Sequence, residues 1–174
     1  MRPLVRLLAP VAAVVLFVLA LLPGNTSARA SSHVPYYENR TDPVGLLRSY
    51  YNAVNRGEYR RAYSYWETPA SSLRQSYAQF ARGYADTSYV ALYTGRTFGE
   101  GAAGSTYVSI PTVLVATHTD RSVHRYYGCY VMRHVNPGIS TSPEARYWHI
   151  YSGHMRVAPA GASISTLLAR GCGA

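Results

Sequence analysis

The sequence predicts an α+β fold in which three N-terminal helices pack on an antiparallel sheet of about four strands. Apolar residues recur at helical spacing between residues 42 and 85, and beyond residue 87 the pattern changes to the alternation that is typical of strands. The predicted helices precede all of the predicted strands. This order is typical of folds in which the helices lie together against one face of a sheet.

The first thirty residues have the three parts of a secretory signal peptide. Arg2 and Arg6 form a positive start, Val11–Leu22 is an uninterrupted apolar run, and Ala28–Ala30 contains the small residues that signal peptidase needs. As a helix the apolar run would be about 18 Å long, which is shorter than the roughly 30 Å hydrocarbon core of a membrane. We therefore expect cleavage after residue 30, and an uncleaved N-terminal anchor is the alternative.

Removal of residues 1–30 would leave a flexible N-terminal arm, 31–41, and one domain, 42–174. We expect this mature protein to work outside the cytoplasm, in the bacterial envelope or the medium, without a stable membrane span. Its net charge falls from +9 to +6 because the leader carries three arginines. The remaining arginines are scattered, which argues against nucleic-acid binding, whereas attraction to an anionic surface stays possible.

Cys129 and Cys172 are the two cysteines of the chain. An even number of cysteines in an oxidising compartment favours a disulfide. A bridge between them would close a long loop and would hold a C-terminal segment that otherwise frays. A catalytic thiol is the weaker alternative, because a lone nucleophilic cysteine would be oxidised outside the cell.

The helices are predicted from caps and spacing. Asp42 is a favourable N-cap, Pro43 is tolerated in a first turn, and Gly57 suits the position that follows a last turn. The second helix is predicted over 58–66 and the third over about 73–85, each with apolar residues three or four apart.

The strands are predicted from β-branched and aromatic residues between turn signals. A glycine-rich turn, 99–104, separates the first two, and Pro111 implies that the second strand is an edge strand or has a bulge. The four predicted strands cover residues 88–97, 106–117, 125–135 and 145–157.

One stretch of the sequence resembles a known superfamily. The stretch 50–66, YYNAVNRGEYRRAYSYW, resembles the opening of bacterial secreted members of the nuclear transport factor 2-like superfamily, and 80–84, 128–130 and 148–150 also resemble that group. The resemblance implies a strongly curved sheet that wraps the helices into a cone with a pocket at its mouth. It does not imply one activity, because the superfamily includes isomerases, dehydratases and non-catalytic binding domains.

Few residues qualify for chemistry in such a pocket. Enzymes of this superfamily typically use a buried carboxylate, and here only Glu67 and Asp86 lie next to aromatic residues at predicted helix ends. No metal site or cofactor is predicted: alternation along a strand would put His149 and His154 on opposite faces of the sheet, and no motif with metal-ligand spacing occurs.

Tyrosine is the unusual component, with seventeen residues. Tyrosines can form a core and still direct hydroxyl groups into a pocket. The sequence therefore predicts a non-enzymatic binding or accessory domain for a small ligand, a cell-surface polymer or a protein. A cofactor-free isomerase or lyase and a structural envelope protein are the alternatives, and a homodimer is possible. Facing helices and strands of the cone suggest six pocket residues: Tyr63, Trp66, Tyr84, Tyr130, Arg133 and Trp148.

Overall fold

The computed structural model describes residues 34–67, 75–102 and 104–173. The predicted signal peptide, 1–30, and the start of the predicted arm lie outside these residues. The described residues form four α-helices, one short 3-10 helix and five strands. In chain order these are α1 Pro43–Asn55, α2 Tyr59–Ser64, α3 Tyr77–Gly83, β1 Thr87–Thr94, β2 Phe98–Ala102, β3 Ser105–His118, β4 Val123–Val135, η1 Pro143–Arg146, β5 His149–Val157 and α4 Ile164–Arg170.

Helix α1 begins and ends as predicted. The Asp42 carboxylate accepts a hydrogen bond from the backbone N–H of Gly45 at 2.7 Å, which satisfies one of the free donors of the first turn. Gly57 follows the helix with φ of 71°, a conformation that glycine adopts without strain. The apolar stripe of α1 forms the centre of the core; its buried members include Leu46, Leu47, Tyr50, Tyr51 and Val54.

Helix α2 is shorter than the predicted 58–66, because its last residues pair with the sheet. Tyr65 accepts a backbone hydrogen bond from Ile150 at 2.8 Å, and the Glu67 N–H donates to the Ile150 carbonyl at 3.1 Å. Trp66 forms an isolated parallel bridge with Ile150. The segment 65–67 therefore covers part of the outer edge of β5.

Helix α3 begins at Tyr77, later than the predicted residue 73. A capping box explains this start: the Ser76 hydroxyl accepts from the N–H of Gln79, and the Gln79 side chain accepts from the N–H of Ser76. Residues 73 and 74 of the predicted helix lie outside the described residues.

The sheet is antiparallel, with the strand order β1-β3-β4-β5, and β2 pairs with the other half of the β3 edge that β1 occupies. The predicted turn 99–104 is mostly strand β2, since Phe98–Ala102 pairs with Ser105–Ser109. The predicted first strand ends early, at Thr94. Helices α1, α2 and α3 pack on one face of this curled sheet, and the α+β class predicted from the sequence is confirmed.

Pro111 lies in the middle of β3, where β1 has ended and β2 has not begun. Its carbonyl accepts from the N–H of Gly95 at 2.8 Å, so this side of Pro111 faces the gap between β1 and β2. The N–H that proline lacks would point to the same side, where no strand is present to accept it. The strand is central rather than an edge, and the proline is tolerated because the neighbouring edge is interrupted at this residue.

A β-bulge in β5 changes which residues share a face. The register moves from Met132 opposite Ile150 to Val131 opposite Ser152, so one extra residue is inserted. His149 lies opposite Arg133 and His154 lies opposite Cys129, which puts both histidines on one face of the sheet. The prediction that they lie on opposite faces was wrong because simple alternation ignores the bulge. The start of β5 at His149, instead of 145, follows from the 3-10 turn η1.

Helix α4 was not predicted from the sequence. Ser163 caps it by accepting from the N–H of Thr166 at 3.1 Å, and the helix packs on β3 and β4 with Leu167 buried. The Cys129–Cys172 disulfide ties the segment after α4 to β4, which confirms the predicted pairing.

The described part of the predicted arm is bonded to the helices. The Tyr37 N–H donates to Asn52 Oδ1 at 3.0 Å, the Asn39 N–H donates to Ser49 Oγ at 2.7 Å, and the Arg61 guanidinium donates to the Tyr37 carbonyl at 3.1 Å. Within the described ranges, no helix has the length and apolar content that a membrane crossing requires.

Candidate functional site

A cavity of about 350 Å³ lies between the helices and the face of the sheet that they cover. Its wall is mainly aromatic and aliphatic, and its polar side chains are phenols, one indole, one imidazole, one amide and the hydroxyl of Thr87. None of the lining residues is an arginine, an aspartate or a glutamate. The residues that line it are Tyr50, Tyr51, Trp66, Gln75, Phe80, Gly83, Tyr84, Thr87, Val90, Leu114, Ala116, His118, Tyr126, Tyr130, Gly153 and Met155.

Four tyrosines of the cavity form two hydrogen-bonded pairs. The hydroxyls of Tyr50 and Tyr84 are 2.9 Å apart, and those of Tyr51 and Tyr130 are 2.6 Å apart. Helix α1 supplies one member of each pair, because consecutive residues 50 and 51 both belong to its buried stripe. The pairs join α1 to the turn after α3 and to β4.

The hydroxyl groups of these pairs stay protonated at neutral pH. Burial raises the pKa of Tyr50 and Tyr51 well above the ordinary value of a phenol, and the neighbouring phenols raise both further. Burial also raises the pKa of Tyr84 and of Tyr130. The cavity therefore offers neutral hydrogen-bond donors and no phenolate.

Trp66 lines the cavity, and its indole nitrogen is buried. The side chain is 5 % exposed, and its indole N–H approaches the Tyr50 hydroxyl without making a hydrogen bond of good geometry. The ring lies about 6.2 Å from that of Tyr50 and 6.3 Å from that of Tyr130, measured between centroids. A buried donor without a partner is uncommon, because its desolvation is not compensated.

His118 and Asp86 meet at one end of the cavity. His118 Nδ1 lies 3.3 Å from Asp86 Oδ2, and the buried Nε2 atom has no hydrogen-bond partner within the described ranges. The two residues meet because Asp86 precedes β1 and because β1 pairs antiparallel with β3, which sets Thr87 opposite His118. A carboxylate only accepts hydrogen bonds, so Nδ1 carries the hydrogen that faces Asp86, and of the two neutral tautomers this is the one that leaves a lone pair on Nε2.

Three of the six predicted pocket residues, Trp66, Tyr84 and Tyr130, line the cavity. The other three do not. Arg133 faces away from α1, α2 and α3 because alternation along β4 gives it the face opposite to Tyr130. Tyr63 is not a lining residue, and its hydroxyl donates to the carbonyl of Gln75 at 2.9 Å.

Trp148, the last of these three, packs against His134, with ring centroids 5.2 Å apart. The two candidate acids also differ in position. Asp86 reaches the cavity only through His118, whereas Glu67 forms an ion pair with Arg133 away from the cavity.

A second polar group of side chains surrounds His149 at the start of β5. The Arg40 guanidinium donates to His149 Nε2 at 3.0 Å and pairs with Glu144 at 3.1 Å. Burial and the adjacent Arg40 charge lower the pKa of His149. A guanidinium group has no atom that accepts hydrogen bonds, so His149 Nε2 must be the acceptor of this bond. An Nε2 atom that accepts carries no hydrogen, and the imidazole ring is therefore neutral. In the ranges that the structure describes, no three histidine, cysteine or acidic side chains are arranged to bind a metal ion.

His118 is a cavity residue that is not among the six pocket residues predicted from the sequence. Its sequence signal was weak but present: an acid lies just before the first strand and a histidine ends the strand predicted to pair with it. Antiparallel pairing of consecutive strands brings two such positions together.

No protein-family model and no curated protein matches the sequence. Among solved structures, the chain is similar to a proposed dehydratase of the NTF2-like family from Streptomyces avermitilis, with 16 % identity, 66 % of this chain and 93 % of that chain covered, and a TM-score of 0.44. It is also similar to a proposed aromatic ring hydroxylase from Novosphingobium aromaticivorans, with 14 % identity, coverages of 70 % and 91 %, and a TM-score of 0.48. The likeness to these two proteins concerns the arrangement of the chain alone. The observed arrangement, with helices first, a curled antiparallel sheet and a cavity between them, is the one that the resemblance of residues 50–66 implied.

Proposed function

We propose that this chain is an exported binding domain that holds a small, uncharged ring compound in the tyrosine-lined cavity. The observation that supports this function is the cavity itself, about 350 Å³ with aromatic walls and protonated phenols. Such a volume suits a molecule of one to three rings, and apolar walls with a few polar groups are typical of small-molecule sites. No cofactor is needed for binding alone.

Export is part of the proposal and rests on the leader pattern of residues 1–30. The Cys129–Cys172 disulfide is compatible with an extracytoplasmic protein. Mass spectrometry of the exported fraction should find a mature N-terminus near Ser31. A full-length chain that stays with the cell would contradict cleavage.

Ligand binding can be tested by filling the cavity. Ala116 lines it, so Ala116→Phe should abolish calorimetric binding of ring compounds such as α-indanone. Ala91→Phe is the matched control, because register gives Ala91 the opposite face of the sheet. Circular dichroism would verify that both variants fold. Equal binding by both variants would overturn the proposed site, and self-association without any ligand binding would favour the structural envelope role.

A cofactor-free enzyme is the second candidate, and His118 is the observation that favours it. In this role Nε2 would accept a proton from a carbon next to a carbonyl group of the ligand and return it at the same or another carbon. The Asp86 carboxylate would position the ring and stabilise the imidazolium that forms. Phenol donors of the cavity would stabilise the enolate oxygen.

Proton transfer can be measured without knowledge of the natural substrate. α-Indanone has exchangeable protons next to its carbonyl, and NMR in deuterated water follows their exchange. An enzyme should accelerate exchange, His118→Gln should remove the acceleration, and Asp86→Asn should reduce it and change its pH profile. Binding without acceleration would leave the chain as a binding domain.

A further inference from the structure

Three strands border the sheet, and two of them are partly covered by groups of the same chain. The side chain of Asn55 bonds to Val90 at the outer edge of β1. The segment 65–67 bonds to Ile150 at the outer edge of β5. The third border strand is β2, Phe98–Ala102, whose five residues are all exposed. Among the described residues, no backbone or side-chain group bonds to the edge of β2 that faces away from β3, which we call the open edge.

The groups that β2 directs to its open edge belong to two glycines. On β3, the Pro111 carbonyl points to the side where β1 and β2 lie. Backbone groups alternate along a strand, so the N–H and C=O of Tyr107 point to the same side and bond to its partner Glu100. The N–H and C=O groups of Gly99 and Gly101, which flank Glu100, therefore point to the open edge.

These two glycines leave room for another backbone. Glycine in a strand often marks a position that a second backbone approaches closely, and a Cβ atom at Gly101 would meet nothing within 4 Å. Natural edge strands are usually protected by lysine, proline or a bulge, and β2 has none of these. An extended peptide is the ligand whose own N–H and C=O groups match those of an open edge.

The side chains of β2 indicate which peptide fits. Phe98 and Glu100 pair with Ser109 and Tyr107, so both lie on the face of the sheet opposite to the cavity. Phe98 is 56 % exposed, and Glu100 forms no ion pair with a described residue. Paired residues of an antiparallel sheet share a face. A lysine or arginine opposite Glu100 would therefore meet the carboxylate, and an aromatic residue opposite Phe98 would cover that ring.

Glu100 also argues against a second copy of this chain at the open edge. Two antiparallel β2 strands use all of their outward groups only when Gly99 of each copy lies opposite Gly101 of the other. This register sets the two Glu100 carboxylates directly opposite each other, and like charges in such a pair are unfavourable.

We propose that β2 binds a basic, extended segment of a partner protein as an additional strand, through the backbone groups of Gly99 and Gly101, with a lysine or arginine of the partner opposite Glu100. The added strand runs antiparallel to β2, because antiparallel pairs are more stable per residue than parallel pairs. None of the residues of β2 lines the tyrosine-rich cavity, so this site is separate from the proposed ring-compound site and goes beyond it.

The peptide acetyl-TVKVY-amide is a suitable probe, because antiparallel alignment sets its lysine opposite Glu100 and its tyrosine opposite Phe98. The NMR signals of the Gly99 and Gly101 amides should move downfield and saturate at millimolar peptide, since both N–H groups gain an acceptor. Replacement of the lysine by glutamate should weaken binding about fivefold, and the protein variant Glu100→Lys should reverse this preference. Methylation of the two valine nitrogens should abolish binding, because it removes the peptide donors that face β2.

Two variants at one position test the backbone pairing from the side of the protein. Gly101→Pro removes an outward N–H without removing a bond to β3, so it should abolish the shift of Gly99. Gly101→Ala keeps the N–H and is the matched control, with an affinity within about twofold of the wild type. Circular dichroism would verify that both variants fold, and the methylated peptide gives the same test on the wild-type protein.

Three results would overturn the peptide site. The first is the absence of saturable shifts at Gly99 and Gly101 with either peptide, and the second is unchanged binding by Gly101→Pro or by the methylated peptide. The third is a dimer of the peptide-free protein whose formation moves the same two glycine signals, because the open edge would then hold a second copy.

Discussion

The side-chain amide of Asn55 forms two hydrogen bonds with the backbone of Val90. Its Nδ2 group donates to the Val90 carbonyl at 2.9 Å, and its Oδ1 atom accepts from the Val90 N–H at 2.7 Å. The amide thus occupies the free edge of β1 as a neighbouring strand would. It ties the last residue of α1 to the strand that borders the cavity.

Replacement of Asn55 by alanine should lower the free energy of unfolding by about 2 kcal/mol, because two part-buried hydrogen bonds to the backbone of the buried Val90 are lost, at about 1 kcal/mol each. Urea unfolding would measure the change. Asn136→Ala is the control: its side chain accepts one bond, from Thr106 at 2.9 Å, so about half the effect is expected. Equal losses in both variants would contradict a special role for the Asn55–Val90 link.

Local signals in the sequence predicted local structure, whereas pairing across the sheet could not be deduced from them. Helix α1 was predicted with both ends because its caps are adjacent in sequence. Strand β2 was taken for a turn, since its glycines have low strand propensity and the strand depends on its pairing with β3. Helix α4 was missed although its signals were present, with Ser163 as a cap and Leu167 on an apolar stripe.

The residues of the candidate site show the same difference between what local signals predict and what depends on strand pairing. Tyr84 and Tyr130 were predicted as pocket residues, since aromatic residues on the core face of helices and strands are visible in the periodicity. Arg133 was misplaced although alternation along a single strand already puts it on the face opposite to Tyr130. The contact between His118 and Asp86 depends on the β1–β3 register, for which the only sequence signal is that the two residues lie at the start and the end of consecutive strands.

Gly153 provides a test of how tightly the cavity wall is packed. A Cβ atom at this position would lie 2.6 Å from Tyr130 Cε1 and 3.3 Å from Trp66 Cη2. Gly153→Ala should therefore lower the free energy of unfolding by about 1–3 kcal/mol and weaken ligand binding, as both rings must shift.

Gly83 supplies the matched control, because it lines the same cavity and a Cβ there meets nothing within 4 Å. As a residue of helix α3 it should tolerate alanine with a gain of up to about 1 kcal/mol. Urea unfolding and calorimetry on both variants would check this contrast. A stable Gly153→Ala variant with unchanged affinity would contradict the packing argument.

The buried phenols predict a loss of stability at alkaline pH. The pKa of Tyr50, Tyr51 and Tyr130 is raised in the folded protein, whereas the unfolded chain releases the same protons near pH 10, the ordinary phenol value. Above about that pH the unfolded state binds fewer protons than the folded state, so the free energy of unfolding falls as pH rises. Below it this contribution is fully present.

Urea unfolding at a series of alkaline pH values would measure the slope, and ultraviolet absorbance would count the phenolates that form before unfolding. Tyr130→Phe should make the slope shallower, because one raised pKa is removed. Formation of all seventeen phenolates in the still-folded protein would contradict burial of these hydroxyls.

Reduction of the Cys129–Cys172 disulfide should lower the free energy of unfolding by about 4 kcal/mol, because the bridge joins residues 43 positions apart and restricts the unfolded chain. Hydrogen exchange should rise first in α4, Ile164–Arg170, since Cys172 holds the segment that follows this helix. Urea unfolding with and without reductant would measure the change. A variant with both cysteines replaced by serine should match the reduced protein and should not respond to reductant. If the wild-type midpoint also fails to respond, the bridge does not contribute to stability, and α4 is held by the packing of Leu167 on the sheet.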